Sequence, residues 1–338
     1  MTSTINHELT TVPFGTTDMA ITRVGFGAWA VGGGDWAYAW GPQDDDEAIA
    51  AIRHAVESGV NWIDTAAVYG LGHSEEVVAA ALNGIPEADR PYVFTKCGLV
   101  WDETDRSIAP RRTGNPESIR REVESSLRRL NVERIDLYQM HWPAEDGADL
   151  ADYWQTLLDL KAEGKVRAVG LSNHDTNQLE AAEALGHVDT LQPPFSAIHR
   201  ETADLLPWTR AHDTGVIVYS PMMSGLLTGA FDRSRVAGLP ADDWRRTSPD
   251  FTTNLDANLA VADALRKVAE RHGISQPAAA VAWTLAFGGV TGAIVGARSP
   301  KQVEGWLAAA STVLTQDDLD TVADAIASLG AGEGPVRP

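Results

Sequence analysis

Four side chains in the first half of the chain have the types and spacing to move a proton together. Asp64, Tyr69, Lys96 and His141 fall at or just beyond the ends of three consecutive apolar segments, 61–66, 92–96 and 135–141. A phenol is a sluggish acid at neutral pH, since its unperturbed pKa is about 10. A neighbouring ammonium favours the phenolate, so Lys96 is expected to draw the Tyr69 pKa down. Asp64 would pair that ammonium, and neutral His141 would offer a hydrogen bond that orients a substrate oxygen. The chemistry that wants this set is protonation of a carbonyl oxygen. None of the four can supply hydride, so a redox cofactor is implied. Taken singly, each has a plainer reading: a turn-capping aspartate, a loop tyrosine, a solvated lysine, a core histidine. It is the convergence of three consecutive segments that favours chemistry. Lysine is also scarce, with only Lys96, Lys161, Lys165, Lys267 and Lys301 in 338 residues.

The elements that must position these groups alternate almost to the end of the chain. Strand-like runs are expected at 21–29, 61–66, 92–96, 135–141, 166–173, 190–195, 216–222 and 291–296. Helical patterns lie between them at 44–58, 74–83, 117–130, 149–163, 176–185, 201–212 and 276–287, with 301–310 after the last. Ser74 reads as a helix cap and Pro116 as a helix-start proline. Eight such units describe an α/β fold, a (β/α)8 TIM barrel, whose apolar strands suit a parallel sheet buried on both faces. Residues 8–19 look like a hairpin that would plug the barrel, and 254–272 and 316–329 are extra helices. No linker divides the chain, so residues 1–338 are expected to form one domain. In such a barrel the active site lies at the C-terminal ends of the strands, where these four groups fall. The rival architecture is a doubly wound dinucleotide fold. Gly25-Phe-Gly27-Ala-Trp-Ala30 has the G-x-G-x-x-A spacing, but Val31-Gly-Gly-Gly34 follows and cannot begin the helix that the fingerprint requires.

Composition narrows the partners. Lys+Arg total 27 against 47 Asp+Glu, a formal net charge of -20. Phosphate backbones and anionic lipid would be repelled, so neither nucleic acid nor membrane is expected. Residues 1–14 are polar, and no apolar run approaches the ~18 residues that span a bilayer. A cytoplasmic protein is the expectation. The one cysteine, Cys97, rules out a disulfide within the chain and any multi-cysteine metal site, and no metal is expected. Lys96 beside it suggests an activated thiol, but strand alternation points neighbours in opposite directions, so a buried reduced thiol is the better reading.

The motifs are specific beyond their chemistry. Asp64-Thr-Ala-x-x-Tyr69-Gly, Thr95-Lys96 and Asp136-Leu-Tyr-Gln-Met-His141-Trp-Pro resemble the tetrad motifs of the aldo-keto reductases in order, spacing and strand position. The likeness covers nearly the whole chain and is closest to a bacterial branch related to potassium-channel β subunits. It implies that Tyr69 is the general acid, that Lys96 and Asp64 tune it, and that His141 orients substrate. It implies a nicotinamide cofactor held without a dinucleotide fold. By the same resemblance Ser172, Asn173 and Gln192 hydrogen-bond the nicotinamide carboxamide and Tyr219, before Ser220-Pro221, stacks on the ring. Gly225 and Leu227 belong to the loop closing over the pyrophosphate, and Gly296, Arg298 and Gln302 to the adenosine-phosphate site. A flat guanidinium suits a 2′-phosphate, so NADPH is expected rather than NADH. The partner would be a small carbonyl or alcohol, with reversible reduction of an aldehyde or ketone as the reaction. The channel-subunit likeness implies an alternative, an NADPH-binding regulatory subunit with little turnover. Eleven tryptophans are many. Trp29, Trp101 and Trp142 are candidates for the substrate pocket, against a plain role in anchoring loops.

Overall fold

Parallel pairing runs all the way round the sheet. The structure, a computed structural model, describes residues 9–240 and 243–338. Strands Val24–Gly27, Trp62–Asp64, Tyr92–Cys97, Ile135–Met140, Val166–Ser172, Thr190–Gln192, Gly215–Val218 and Gly292–Gly296 close into a barrel in chain order. They are called strands one to eight below. Each is flanked by helix on the outside, so its outward residues meet apolar helix faces and its inward residues fill the barrel. That double burial is why the strands read as continuous apolar runs.

The first expected strand, 21–29, is really two. Ala20–Thr22 pairs antiparallel with Thr11–Pro13, and only Val24–Gly27 enters the barrel. Thr22 causes the break: its hydroxyl donates to the Val24 carbonyl and its N–H donates to Asn61 Oδ1, groups a continuous ladder would leave elsewhere. The hairpin therefore extends to Thr22, beyond the expected 8–19, and residue 8 lies outside the described residues. Phe14, Met19 and Ile21 pack with Trp62, Phe94, Leu137, Ala168 and Ile217 and seal the barrel floor.

Other boundaries shifted for local reasons. Ser74 does not cap its helix, His73–Leu82; Gly72 stands at the N-cap with φ 102°. The Ser74 hydroxyl instead donates to the Ala28 carbonyl and lies 2.8 Å from Thr65 Oγ1, tying the helix to strand-end loops. The expected helix 201–212 divides into a 3-10 turn, Glu201–Leu205, and a helix Leu206–Ala211 opened by Pro207, which lacks an N–H for a longer helix. Pro116 does open Pro116–Leu130, with the Asn115 side chain accepting from Ser118 N. The loop before it carries a small ribbon, Leu99–Val100 with Arg111–Arg112.

Both extra helices are present, Leu255–His272 and Gln316–Leu329. Their reason lies in helix Gln276–Leu285, buried at every position from Ala278 to Leu285. A helix apolar all round cannot face water. Leu255–His272 packs on it, and Gln316–Leu329 packs on Leu255–His272 in turn. No helix among the described residues is long and apolar enough to cross a membrane.

Candidate active site

Strand ends bring the four proton-transfer candidates together. Asp64 ends strand two, Lys96 sits one residue before the end of strand three, and His141 follows strand four with its N–H on the Cys97 carbonyl. Tyr69 hangs from the turn after strand two. Gly70, with φ 62°, docks that turn against the strand-one loop: a Cβ there would stand 2.0 Å from the Gly32 carbonyl oxygen. Lys96 Nζ donates to Asp64 Oδ1 at 2.6 Å and to the Thr65 carbonyl at 2.8 Å, and lies 3.5 Å from Tyr69 Oη. Gln192, from strand six across the barrel, donates to Asp64 Oδ2 at 2.9 Å. The His141 ring meets the Tyr69 ring edge-on, centroids 5.7 Å apart.

Burial sets the electrostatics. It pushes the Asp64 carboxyl up and the Lys96 ammonium down, while their contact works against both shifts. His141 is held well below its ordinary value, by burial first and then by Lys96 and Arg112, so the imidazole is neutral. Tyr69 departs from the sequence expectation. Its hydroxyl is pushed well above the ordinary value, by burial and then by the Asp64 charge. Burial and the Asp64 charge dominate there, and the Lys96 ammonium is itself paired with Asp64. Tyr69 is thus a neutral phenol, the protonated form that a donor must have.

The cofactor candidates form two groups. At the barrel mouth, Ser172 Oγ donates to the Gln192 carbonyl, and Asn173, at φ 63°, gives its amide N–H groups to the His141 carbonyl and Ser172 Oγ. Tyr219 Oη donates to Asn173 Oδ1 at 2.8 Å, which stands its ring beside them. After strand seven, Ser220, Met223, Ser224 and Gly225 all have positive φ, Pro221 and Leu227 being buried within the same loop. Non-glycine residues hold such conformations where the surroundings impose them, often at ligand clamps. The second group lies at strand eight. Gly296 is exposed at the strand end, and Gln302 Oε1 accepts from Arg298 N at 2.7 Å. Arg298 Nε donates to Gln43 Oε1 at 2.5 Å, and its guanidinium also reaches the Pro42 carbonyl.

Sequence reasoning missed Gln43, which lies 255 residues from Arg298 in a loop without any motif. It also missed the Thr65 carbonyl, a backbone acceptor that no residue type announces. The tryptophans are dispersed. The Trp29 ring stands 6.2 Å from that of Tyr69, and Trp40 and Trp244 continue the aromatic series outward, with Arg245 over Trp40. Trp142 lies under the Arg112 guanidinium at 4.3 Å. Trp101 instead joins Trp36, Ala66 and Val68 in an apolar cluster on which Tyr69 also packs. Cys97 is buried, and burial pushes its thiol well above the usual range.

Comparison with known proteins adds an independent line. The profile described as the aldo/keto reductase family matches residues 23–327. The NADH-specific methylglyoxal reductase of Escherichia coli (strain K12) is 35% identical over 322 residues, 91% of this chain and 95% of that one. The solved glycerol dehydrogenase AKR11B4 from Gluconobacter oxydans superposes with a TM-score of 0.87 at 38% identity, over 96% of this chain and 97% of that one. An aldo/keto reductase from Klebsiella pneumoniae in complex with NADP and acetate superposes with a TM-score of 0.67 at 27% identity, over 97% and 98%.

Proposed function

The chain belongs to the aldo/keto reductase family, and from that premise we propose that it reduces an aldehyde or ketone to the alcohol, reversibly, with NADPH as hydride source and Tyr69 as proton donor. One contact chain carries the reading: Lys96 Nζ stands 2.6 Å from Asp64 Oδ1 and 3.5 Å from Tyr69 Oη.

A nicotinamide cofactor fits the residues present. Ser172, Asn173 and Gln192 offer hydroxyl and amide groups beside the Tyr219 ring, and the positive-φ run of Ser220, Met223, Ser224 and Gly225 suits a backbone clamp for pyrophosphate. Arg298 offers a guanidinium for a 2′-phosphate, the ground for preferring NADPH. When bound, the reduced nicotinamide supplies hydride to the carbonyl carbon. Tyr69 Oη gives its proton to the carbonyl oxygen as negative charge develops there. Lys96 stabilises the phenolate left behind, and Asp64 with the Thr65 carbonyl keeps the ammonium in place. Neutral His141, edge-on to Tyr69, offers an imidazole N–H that aligns the oxygen. Trp29 and Trp142 stand as walls of the substrate approach, Trp101 only as packing behind Tyr69.

The test is Tyr69→Phe, assayed over a panel of aldehydes and ketones with both NADPH and NADH. The methylglyoxal reductase and glycerol dehydrogenase relatives make small oxygenated carbonyls and polyols the first to try. Loss of the donor should lower kcat by about 10²–10⁴-fold while fluorescence titration still reports tight cofactor binding. Turnover near wild type would sink the assignment of Tyr69. Negligible turnover of the wild type on every substrate, with NADPH still bound, would instead mark a cofactor-binding subunit.

A further inference from the structure

Beneath the Lys96–Asp64 pair the barrel contains polar groups that the proposed reaction does not use. Strand pairing sets Lys96 beside Gln139, Gln139 beside Gly170 and Gly170 beside Thr190. Barrel strands are staggered, so side chains at one height come from alternate strands. Following the registers with that stagger, Asp64, Gln139, Gln192 and Ile294 share one layer. Inward direction is clear for all four. Asp64 and Gln192 bond each other across the barrel, Ile294 packs in the interior apolar cluster, and Gln139 stands two residues after Leu137 of that cluster.

Gln139 differs from its layer mates. It is fully buried, yet neither Nε2 nor Oε1 has a hydrogen-bond partner among the described protein groups. Thr190, also fully buried, leaves its Oγ1 likewise unpartnered. The two face each other across a glycine: a Cβ on Gly170 would stand 2.0 Å from Thr190 Oγ1 and 3.2 Å from Gln139 Cγ. Any side chain at position 170 would collide with Thr190, so glycine is what lets the two polar side chains approach one another here.

Each buried polar group without a partner costs about 1–3 kcal/mol, and nearly all such groups in folded proteins are satisfied by protein or ordered water. An aliphatic side chain would sit here without that cost, as Ile294 does in the same layer. A neutral amide and a neutral hydroxyl both donate and accept, which matches water, while a cation would need acidic ligands and Asp64 is already paired with Lys96. We infer that the barrel interior holds an ordered water site between Gln139 and Thr190, on the floor side of the layer that contains Asp64 and Gln192. The site completes the polar contacts of a layer that supports the ion pair. It touches neither substrate nor cofactor and does not depend on the reaction proposed above.

Long-lived internal waters can be counted by water-¹⁷O relaxation dispersion on wild type and on a Gln139→Leu/Thr190→Val double variant. The double variant should lose at least one. A high-resolution crystal structure of the wild type provides the second readout, needed if that variant does not fold. Solvent density within hydrogen-bond distance of both Gln139 and Thr190 Oγ1 is the expected result. Equal water counts in the two proteins, or a Gln139 amide bonded directly to protein groups with no solvent between it and Thr190, would overturn the inference.

Discussion

Replacing Lys96 by Met removes one member of an ion pair that water does not reach. The Lys96 side chain is 0% exposed and that of Asp64 3%, so solvent screening cannot take over the ammonium's role. Breaking a buried pair by deleting one partner typically costs about 3–5 kcal/mol, because the other charge is left uncompensated. Gln192 still donates to Asp64 Oδ2, which places Lys96→Met near the lower end, about 3 kcal/mol. The deficit must also depend on pH. In the wild type, the attraction and hydrogen bond from Lys96 lower the Asp64 pKa against the raising effect of burial. Without Lys96, burial dominates and the folded-state value rises further above the ordinary 3.8. An acid whose folded pKa exceeds its unfolded one favours the fold below the unfolded value and loses that stability as pH rises through the folded value. Urea unfolding of Lys96→Met and wild type at about pH 5 and about pH 8 should therefore show the larger gap at the higher pH. Lys96→Met/Asp64→Asn should recover most of the loss, since the amide removes the charge and keeps an acceptor for Gln192. A loss below about 1 kcal/mol, a gap independent of pH, or a double variant no better than the single would refute the reasoning.

Arg298→Ala should raise the KM for NADPH by about 10–100-fold, the equivalent of a charge-assisted contact of ~1.5–3 kcal/mol, and leave that for NADH nearly unchanged; equal effects on both would point to the Gln43 contact rather than a 2′-phosphate. Gly70→Ala forces a side chain onto the Gly32 carbonyl at positive φ, so it should displace Tyr69 and cut kcat at least about 10-fold. Near-normal kcat would show that the turn's docking does not set the position of Tyr69. Cys97, buried with a raised thiol pKa, should react with a thiol reagent at least about 100-fold faster in denaturant than in the native protein; equal rates would show that the thiol is accessible.

Much of this molecule was legible in one dimension, and the reason is locality. Strand alternation, helix starts and stops and the positions of Asp64, Tyr69, Lys96 and His141 at segment ends depend on neighbours a few residues away. The misreadings share the opposite property. Thr22 breaks the first strand by bonding Asn61, 39 residues on. Ser74 looked like a cap and was drawn to Ala28, 46 residues back. The Tyr69 pKa was expected to fall because the sequence shows Lys96 but neither the burial nor the nearness of the Asp64 charge that raise it.

The amino-acid sequence alone determined the order of elements, the barrel class and which residues are candidates for proton transfer, because side-chain chemistry and hydrophobic period are written residue by residue. The tertiary structure decided the partners: Gln192 on Asp64 from 128 residues away, Gln43 on Arg298 from 255, and Gln139 facing Thr190 across Gly170. Those contacts depend on strand register and barrel stagger, and both emerge only when the whole sheet closes on itself.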